Sequence, residues 1–337
     1  MQFHIKKSLG YRRGSFRDYS RESSRQTRSG ALRVVLSALE HASVHEQALR
    51  LRPLGLQAVI VHPGRNGIMD PRAVAAAVDA ETVLVSVMAV NNETGAVQPI
   101  GEIAEAVRAA HASGGRRILI HSDAAQGYGK IPFNPLALGI DAVSLSSHKI
   151  GGPRGAGALW LAPEVSVEVL SAGGGQESGM RPGTENLPGI CGFAAAAEKR
   201  GTGMPRELAE AQEKAAFLVR ELGKIPGIRF YPETRTQAPD PFSPYILCFG
   251  FPPLPGEVLV RHADSHGFLI GTGSACSSRK KNRTRVLESM GIRAEIALSA
   301  VRISFGPATP ASDLERFAEY AAGEIPALLS GAAGARS

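Results

Sequence analysis

Cysteine is scarce in this chain, with three in 337 residues. That excludes a disulfide-stapled scaffold and favours a reducing compartment, the cytoplasm. Long apolar runs are absent too. None reaches the ~20 residues that a membrane-spanning helix requires, and no secretory apolar stretch follows the first residues. Membrane and secreted classes are therefore not expected. Aromatics are few, at 6% with one Trp, and no internal repeat recurs, which removes solenoid architectures. No strong acidic bias is present, and the net charge of +7 instead points toward nucleic acid. Its location argues against that partner. Residues 1–30 hold eight basic residues against Asp18 and Glu22, a net +6, so the remainder is close to neutral. This basic tail reads as a disordered segment.

What is present is an α/β pattern. "RVVLSALEH" (33–41), "TVLVSVMAV" (82–90), "RILIHSD" (117–123), "DAVSLSSH" (141–148) and "GALWLA" (157–162) read as strands. The second is a near-continuous apolar run, as in strands buried on both faces. "PIGEIAEAVRAAHASGG" (99–115) reads as a helix, with Pro99 in its first turn and Gly114 at its end. Ile100, Ile103, Ala104 and Val107 form its buried stripe. Alternating strands and helices predict a mainly parallel sheet with flanking helices over residues 31–204, the large domain. A helix at 205–223, strands near 243–252 and 300–306, and a final helix capped by Ser312 and Glu315 predict a smaller α+β domain over 205–330.

Ligands of parallel sheets bind at the carboxyl ends of the strands. His41, Asn91–Asn92, Asp123 and His148–Lys149 all stand at such ends. "VSLSSHKIGGPRGAGALWL" (143–161) ends a strand on Lys149 and continues into glycines, which let a ligand approach the backbone. An amine there can form a Schiff base. Pyridoxal phosphate uses one and also needs a carboxylate at its pyridine nitrogen. Asp123 ends the preceding strand, and Ser146 and His148 offer phosphate donors. Each residue alone reads as an ordinary surface, capping or core residue. Their combination in this order carries the inference.

The motifs "VNNETGAVQPI", "HSDAAQGYGK", "SLSSHKIGGPRGAGALW", "GGGQESGMRPGTENLPGI" and "GTGSACSS" together resemble the cysteine desulfurases of the class V aminotransferase family, from about residue 33 to 325. The resemblance implies a fold-type-I pyridoxal-phosphate enzyme. Lys149 would carry the cofactor and Asp123 would pair with its pyridinium nitrogen. Gln126 and Asn92 would contact the phenolic oxygen, and His41 would stack on the ring and assist proton transfer. Ser146 and His148 would bind the phosphate. Thr184 would reach the phosphate of a neighbouring subunit, implying a homodimer, and Arg302 would hold the substrate carboxylate.

Cys276, in the "GSAC" segment, would accept sulfur from L-cysteine as a persulfide, releasing L-alanine. The sulfur would pass to an acceptor protein for iron–sulfur clusters or thiolation. Only the thiolate is nucleophilic. Arg279, Lys280, Lys281, Arg283 and Arg285 follow Cys276; they favour the thiolate, dock an acidic acceptor, or form a solvated loop. Cys191 and Cys248 lie in apolar surroundings and read as core thiols.

The sequence departs from the family at its start. Residues 1–30 match neither the "Asn-Ala-Ala-Thr" opening nor the glycine–threonine loop that cups the phosphate at a helix N-terminus. Two alternative readings follow. One is a truncated, weakly active or inactive paralogue that binds or dimerises with a partner. The other is a related class V lyase or aminotransferase, such as one acting on selenocysteine.

Overall fold

The computed structural model describes residues 3–5, 31–112, 116–169, 171–237, 241–273 and 284–334. The chain opens with β1 (Phe3–Ile5), paired antiparallel with β8 (Val167–Val169). The rest of the basic tail expected over 1–30 lies outside the described residues, as do Gly114 and Cys276.

The main sheet holds β2 (Leu32–Ser37), β3 (Leu56–Val61), β4 (Thr82–Ser86), β5 (Leu119–Asp123), β6 (Ala142–Ser146) and β7 (Gly157–Leu161), in the order β3-β2-β4-β5-β6-β7. All neighbours but one pair are parallel. The exception is β7, antiparallel to β6. The short connection through Lys149 explains it, because a parallel return needs a crossover of a dozen or more residues. Helices α1 (Ala42–Arg50), α2 (Pro71–Ala76) and α3 (Ile100–Ala110) lie in the crossovers from β2 to β3, β3 to β4 and β4 to β5, while the return from β5 to β6 runs through turns. The stripe expected on α3 is the one buried: Ile100, Ile103, Ala104 and Val107. Pro99 is its cap residue, just outside the first turn.

Period-two alternation divides the sheet into two faces. Val35, Val85, Ile120 and Val143 point one way and pack with the α3 stripe in the largest core. Val34, Leu36 and Val83 form a small cluster with Ala48 of α1 on the other side. There an apolar groove of about 270 Å³ stays open, floored by residues such as Leu36, Leu84 and Leu119.

Toward the C-terminus follow α4 (Leu187–Leu222), α5 (Gly256–Ser265), α6 (Arg285–Ser289), α7 (Ala294–Ala297) and α8 (Ala311–Gly334). Of these, α4, α5 and α8 pack on a four-stranded antiparallel sheet, ordered β11 (Gly271–Thr272), β12 (Ala300–Ser304), β10 (Ile246–Gly250) and β9 (Arg229–Phe230), whereas α6 and α7 bury Val286, Leu287 and Ala297 in the largest core. A second core joins Leu218 and Leu222 of α4, Phe249 of β10, Leu259 of α5 and Phe317 of α8. The mainly parallel sheet with helices, plus a smaller antiparallel sheet near the C-terminus, is the fold class that the sequence implies.

Three local expectations are corrected. The helix expected from Pro205 begins at Leu187, and Pro205 lies inside it. An internal proline removes a backbone hydrogen bond. Here the surrounding turn is exposed, and Arg200 spans the proline through an ion pair to Glu207 at 2.6 Å. The last helix starts at Ala311, so Ser312 lies within its first turn and not at its cap. Cys191, expected in the core, is exposed on α4, whereas Cys248 is fully buried. The amino-terminal half of α4 leaves Leu187 and Ile190 exposed as well, so Cys191 shares an apolar face that no described element covers.

Candidate active site

The site forms where the parallel strands end. β5 ends on Asp123, whose carboxylate oxygen accepts the Ala125 amide at 2.9 Å and so closes the turn that presents Gln126. β6 ends on Ser146, and one 3-10 turn over Ser147–Ile150 follows immediately. That tight turn carries His148 and Lys149 to the sheet end. It exits through Gly151 at φ +90, a left-handed conformation that disfavours any side chain. Gly152 then passes so close to the Ser147 hydroxyl that a Cβ would collide with it. The glycines after Lys149 thus make the sharp return to β7.

His41 caps α1. Its Nδ1 accepts the Ser43 amide at 3.2 Å and sits 2.8 Å from the Ser43 hydroxyl. That acceptor role places the ring proton on Nε2. Burial holds the His41 pKa below its ordinary value; Asp123 opposes this, and Lys149 and Arg285 reinforce it. Asn91 is fully buried, and its side-chain oxygen accepts the Glu93 and Thr94 amides at 3.0 and 2.9 Å. The resulting turn fixes Asn92. From the antiparallel sheet comes Arg302, whose guanidinium donates to the carbonyls of Asn92 at 2.9 Å and Gly273 at 2.7 Å.

These segments enclose a cavity of about 290 Å³ lined by His41, Asn92, Asp123, Gln126, Ser146, His148, Lys149 and Arg302. Eight of the ten residues singled out from the sequence therefore meet in one place. Ser146 Oγ lies 3.0 Å from His148 Nδ1, so the two polar groups meet at one end of the 3-10 turn. Thr184 does not line this cavity; its carbonyl accepts from Arg181 at 3.3 Å in an exposed segment. Cys276, and the basic residues from Arg279 to Arg283, lie outside the described residues. Arg285 is a correction. It turns inward and donates to the carbonyls of Ala38 and Glu40, so it is not a docking cation of the cysteine segment.

Four residues near the site received no role from the motifs, although Glu93, His121 and Lys130 stand inside them. His121 is half-buried behind Asp123, between the hydroxyls of Ser86 and Ser144 at 2.8 Å each. Burial pushes its pKa down to about 4, against the pull of Asp123. Glu40 is buried with its pKa well above normal, chiefly by burial and then by Asp123. One of its oxygens accepts the Met88 amide at 2.6 Å. Burial pushes Glu93 up to about 7, against Arg285 and Arg302. Lys130 donates to Gln126 Oε1 at 2.6 Å, and burial pushes it down to about 8, helped by Lys149. A carboxylate or lysine in a nominal loop gives no sequence signal of burial. Only the pairing of Lys130 with Gln126 at i, i+4 was open to reading.

An amine, a carboxylate, two side-chain amides, two imidazoles and a guanidinium converging on one cavity suit a planar aromatic cofactor and an amino-acid substrate. Fold and site together define a class, and the chain belongs to it: the Aminotransferase class-V family, whose profile matches residues 23–317. The chain is 33% identical to "Cysteine desulfurase IscS" of Dictyoglomus turgidum, over 83% of this chain and 69% of that protein. It is 33% identical to "Putative cysteine desulfurase NifS" of Bacillus subtilis, over 84% and 69%. Among solved structures, a "NIFS-LIKE PROTEIN" superposes with a TM-score of 0.78 at 29% identity, covering 88% of this chain and 75% of that one. A structure described as "SspA in complex with cysteine" gives 0.66 at 29%, covering 82% and 74%.

Proposed function

We propose that the protein is a pyridoxal-phosphate-dependent cysteine desulfurase that converts L-cysteine to L-alanine and retains the sulfur on Cys276. The observation that carries this is the convergence of His41, Asp123, Gln126, Lys149 and Arg302 on one cavity. The donor set fits the cofactor. Lys149 would bind it covalently through the amine, and Asp123 would face the ring nitrogen. Gln126 and Asn92 would take the phenolic oxygen, with Ser146 and His148 toward the phosphate. When bound, the cofactor supplies an electron sink for bonds at the substrate α-carbon.

The protein's own groups do the rest. Arg302 would pair with the substrate carboxylate, its guanidinium already aimed by two backbone carbonyls. His41, held neutral by burial and with its proton on Nε2, would stack on the ring and pass a proton at that atom. The Cys276 thiolate would attack the substrate sulfur. The S–S bond forms as the C–S bond breaks, the electron pair stays with carbon, and a proton completes alanine.

The exposed apolar patch of Leu187 and Ile190, next to Thr184, supports a homodimer in which Thr184 serves the neighbour's phosphate. A reducing cytoplasm suits the free thiols. An acidic sulfur-acceptor protein would collect the persulfide, against the basic residues that follow Cys276.

The test is the full chain with pyridoxal phosphate and L-cysteine. Bound-cofactor absorbance, alanine release and a persulfide on Cys276 are expected; Cys276→Ser keeps the absorbance and loses the persulfide. Persulfide on Cys191 or Cys248 refutes the assignment. Cofactor binding without desulfuration of cysteine favours a related lyase or aminotransferase.

A further inference from the structure

Far from the cavity, the end of α5 meets α8. His262 lies in the last turn of α5, and His266 caps its end. They are four residues apart, so both rings project from one face. The rings stack with centroids 4.6 Å apart and planes 27° from parallel. Facing them on α8 are Tyr320 and Glu324, another i, i+4 pair. One ligand atom from each of His262, His266 and Glu324 can be chosen so that all three lie within 4.8 Å of one another.

The second contacts of the rings give this cluster its chemical sense. His266 Nδ1 lies 2.8 Å from the His262 carbonyl. A carbonyl only accepts, so that nitrogen carries the proton and Nε2 keeps its lone pair. His262 Nδ1 lies 2.8 Å from the Tyr320 hydroxyl, which can accept from it in the same sense. Metal-bound histidines use their second nitrogen in this way, donating to a carbonyl or another oxygen that fixes tautomer and ring orientation. Tyr320 is itself held by ring contacts to Phe268 at 5.1 Å and Phe317 at 5.7 Å, so the support is rigid. The end of α5 adds its own bias, since the partial negative charge of a helix C-terminus favours a cation.

We propose that His262, His266 and Glu324 form a binding site for a divalent transition metal of the zinc class, clamping α5 to α8. Two imidazoles and a carboxylate match Zn²⁺, with water in the fourth position. The nitrogen donors disfavour Mg²⁺ and Ca²⁺, which take oxygen. Zinc bonds of about 2.0–2.2 Å require the three atoms to draw closer than they stand. His266 and Glu324 are exposed and free to adjust, and the stacked imidazoles must tilt beyond their present 27° so that both Nε2 lone pairs meet at one ion.

The test is a Zn²⁺ titration of the chelator-treated full chain against a chromophoric indicator, with excess Mg²⁺ present, and a parallel Co²⁺ titration read by visible absorption. His266→Ala and Glu324→Gln change exposed side chains, so their metal-free melting temperatures should match the parent. Loss of a residue that only hydrogen-bonds a metal ligand weakens metal sites about 10–100-fold, so each ligand variant should weaken binding about tenfold or more. Zn²⁺ should raise the melting temperature of the parent and not of the variants. Unchanged affinity in His266→Ala, or a Co²⁺ spectrum dominated by thiolate charge transfer, overturns the proposal.

Discussion

The two faces of the six-stranded sheet share strands but differ in what they do. One face, built from Val35, Val85, Ile120 and Val143, is sealed by α3 into the main core. The other changes character along its length. Val34, Leu36 and Leu84 make it apolar at one end, where it floors the open groove. Ser86, His121, Asp123 and Ser144 make it polar where the strands finish. The groove and the candidate active cavity share Ser43, Asp123 and Ser144, so they are two ends of one surface. A sealed face supplies rigidity, and the polar end of the other supplies chemistry. On this face His121 and Asp123 stand at the polar end, beside the cavity.

The largest effect should come at the polar end. Lys149→Ala should abolish borohydride-trapped cofactor on the peptide containing residue 149 and remove desulfuration altogether. The strongest rival is Lys130, whose depressed pKa of about 8 leaves a larger share of free amine. Trapping at Lys130 in the parent protein would move the covalent role from the turn after β6 to the loop after β5.

Stability should respond most on the sealed face. Ile120 is 2% exposed and Leu84 is half-buried on the groove side. Ile120→Ala should cost about 2–5 kcal/mol in denaturant unfolding, the range for a buried aliphatic side chain. Leu84→Ala should cost clearly less. Equal costs would mean that something covers the groove in solution.

The pH dependence sharpens the polar end further. Glu93 is held at about 7, above the ordinary 4.5, so the folded protein keeps a proton that the unfolded chain has lost. Its contribution to stability is complete below the unfolded pKa and is lost as pH rises through about 7. At ~1.36 kcal/mol per pKa unit, the loss amounts to about 3 kcal/mol by pH 8. Glu93→Gln should therefore gain stability over the parent as pH rises from 5 to 8. A difference independent of pH would show that Arg285 or Arg302 already holds the carboxylate ionised.

Arg302→Lys should have the smallest effect. It keeps the charge but loses the planar fork, so kcat/KM for cysteine should fall about 10–100-fold, with cofactor binding retained. A loss of cofactor absorbance would place Arg302 in the structural support of the cavity.

Much of the parallel sheet and its site was legible in order along the chain. Apolar runs leading to His41, Asp123 and Lys149 mark the strands whose ends or following turns carry the site, and the α3 stripe declares its buried face by spacing alone. These features are local, and period and sequence order carry them. The start of α4 was misread because proline favours first turns, and nothing local shows that the helix already began at Leu187. Cys191 was misplaced because an apolar neighbourhood in sequence does not say which face is covered.

The sequence by itself therefore determined most of the strand order, though not β3 or the helices α1, α2 and α5, together with the residues that follow the strands and the kinship these motifs express. Only the tertiary structure decided that β7 returns antiparallel, that Arg285 turns inward, and that Glu93 is buried and Lys130 half-buried, both with shifted pKa values. It alone brought His262 and His266 against Glu324. The physical reason is range. Periodicity and turn chemistry act over a few residues. Desolvation, charge coupling and metal geometry depend on groups that are distant in sequence and become neighbours only when the chain packs.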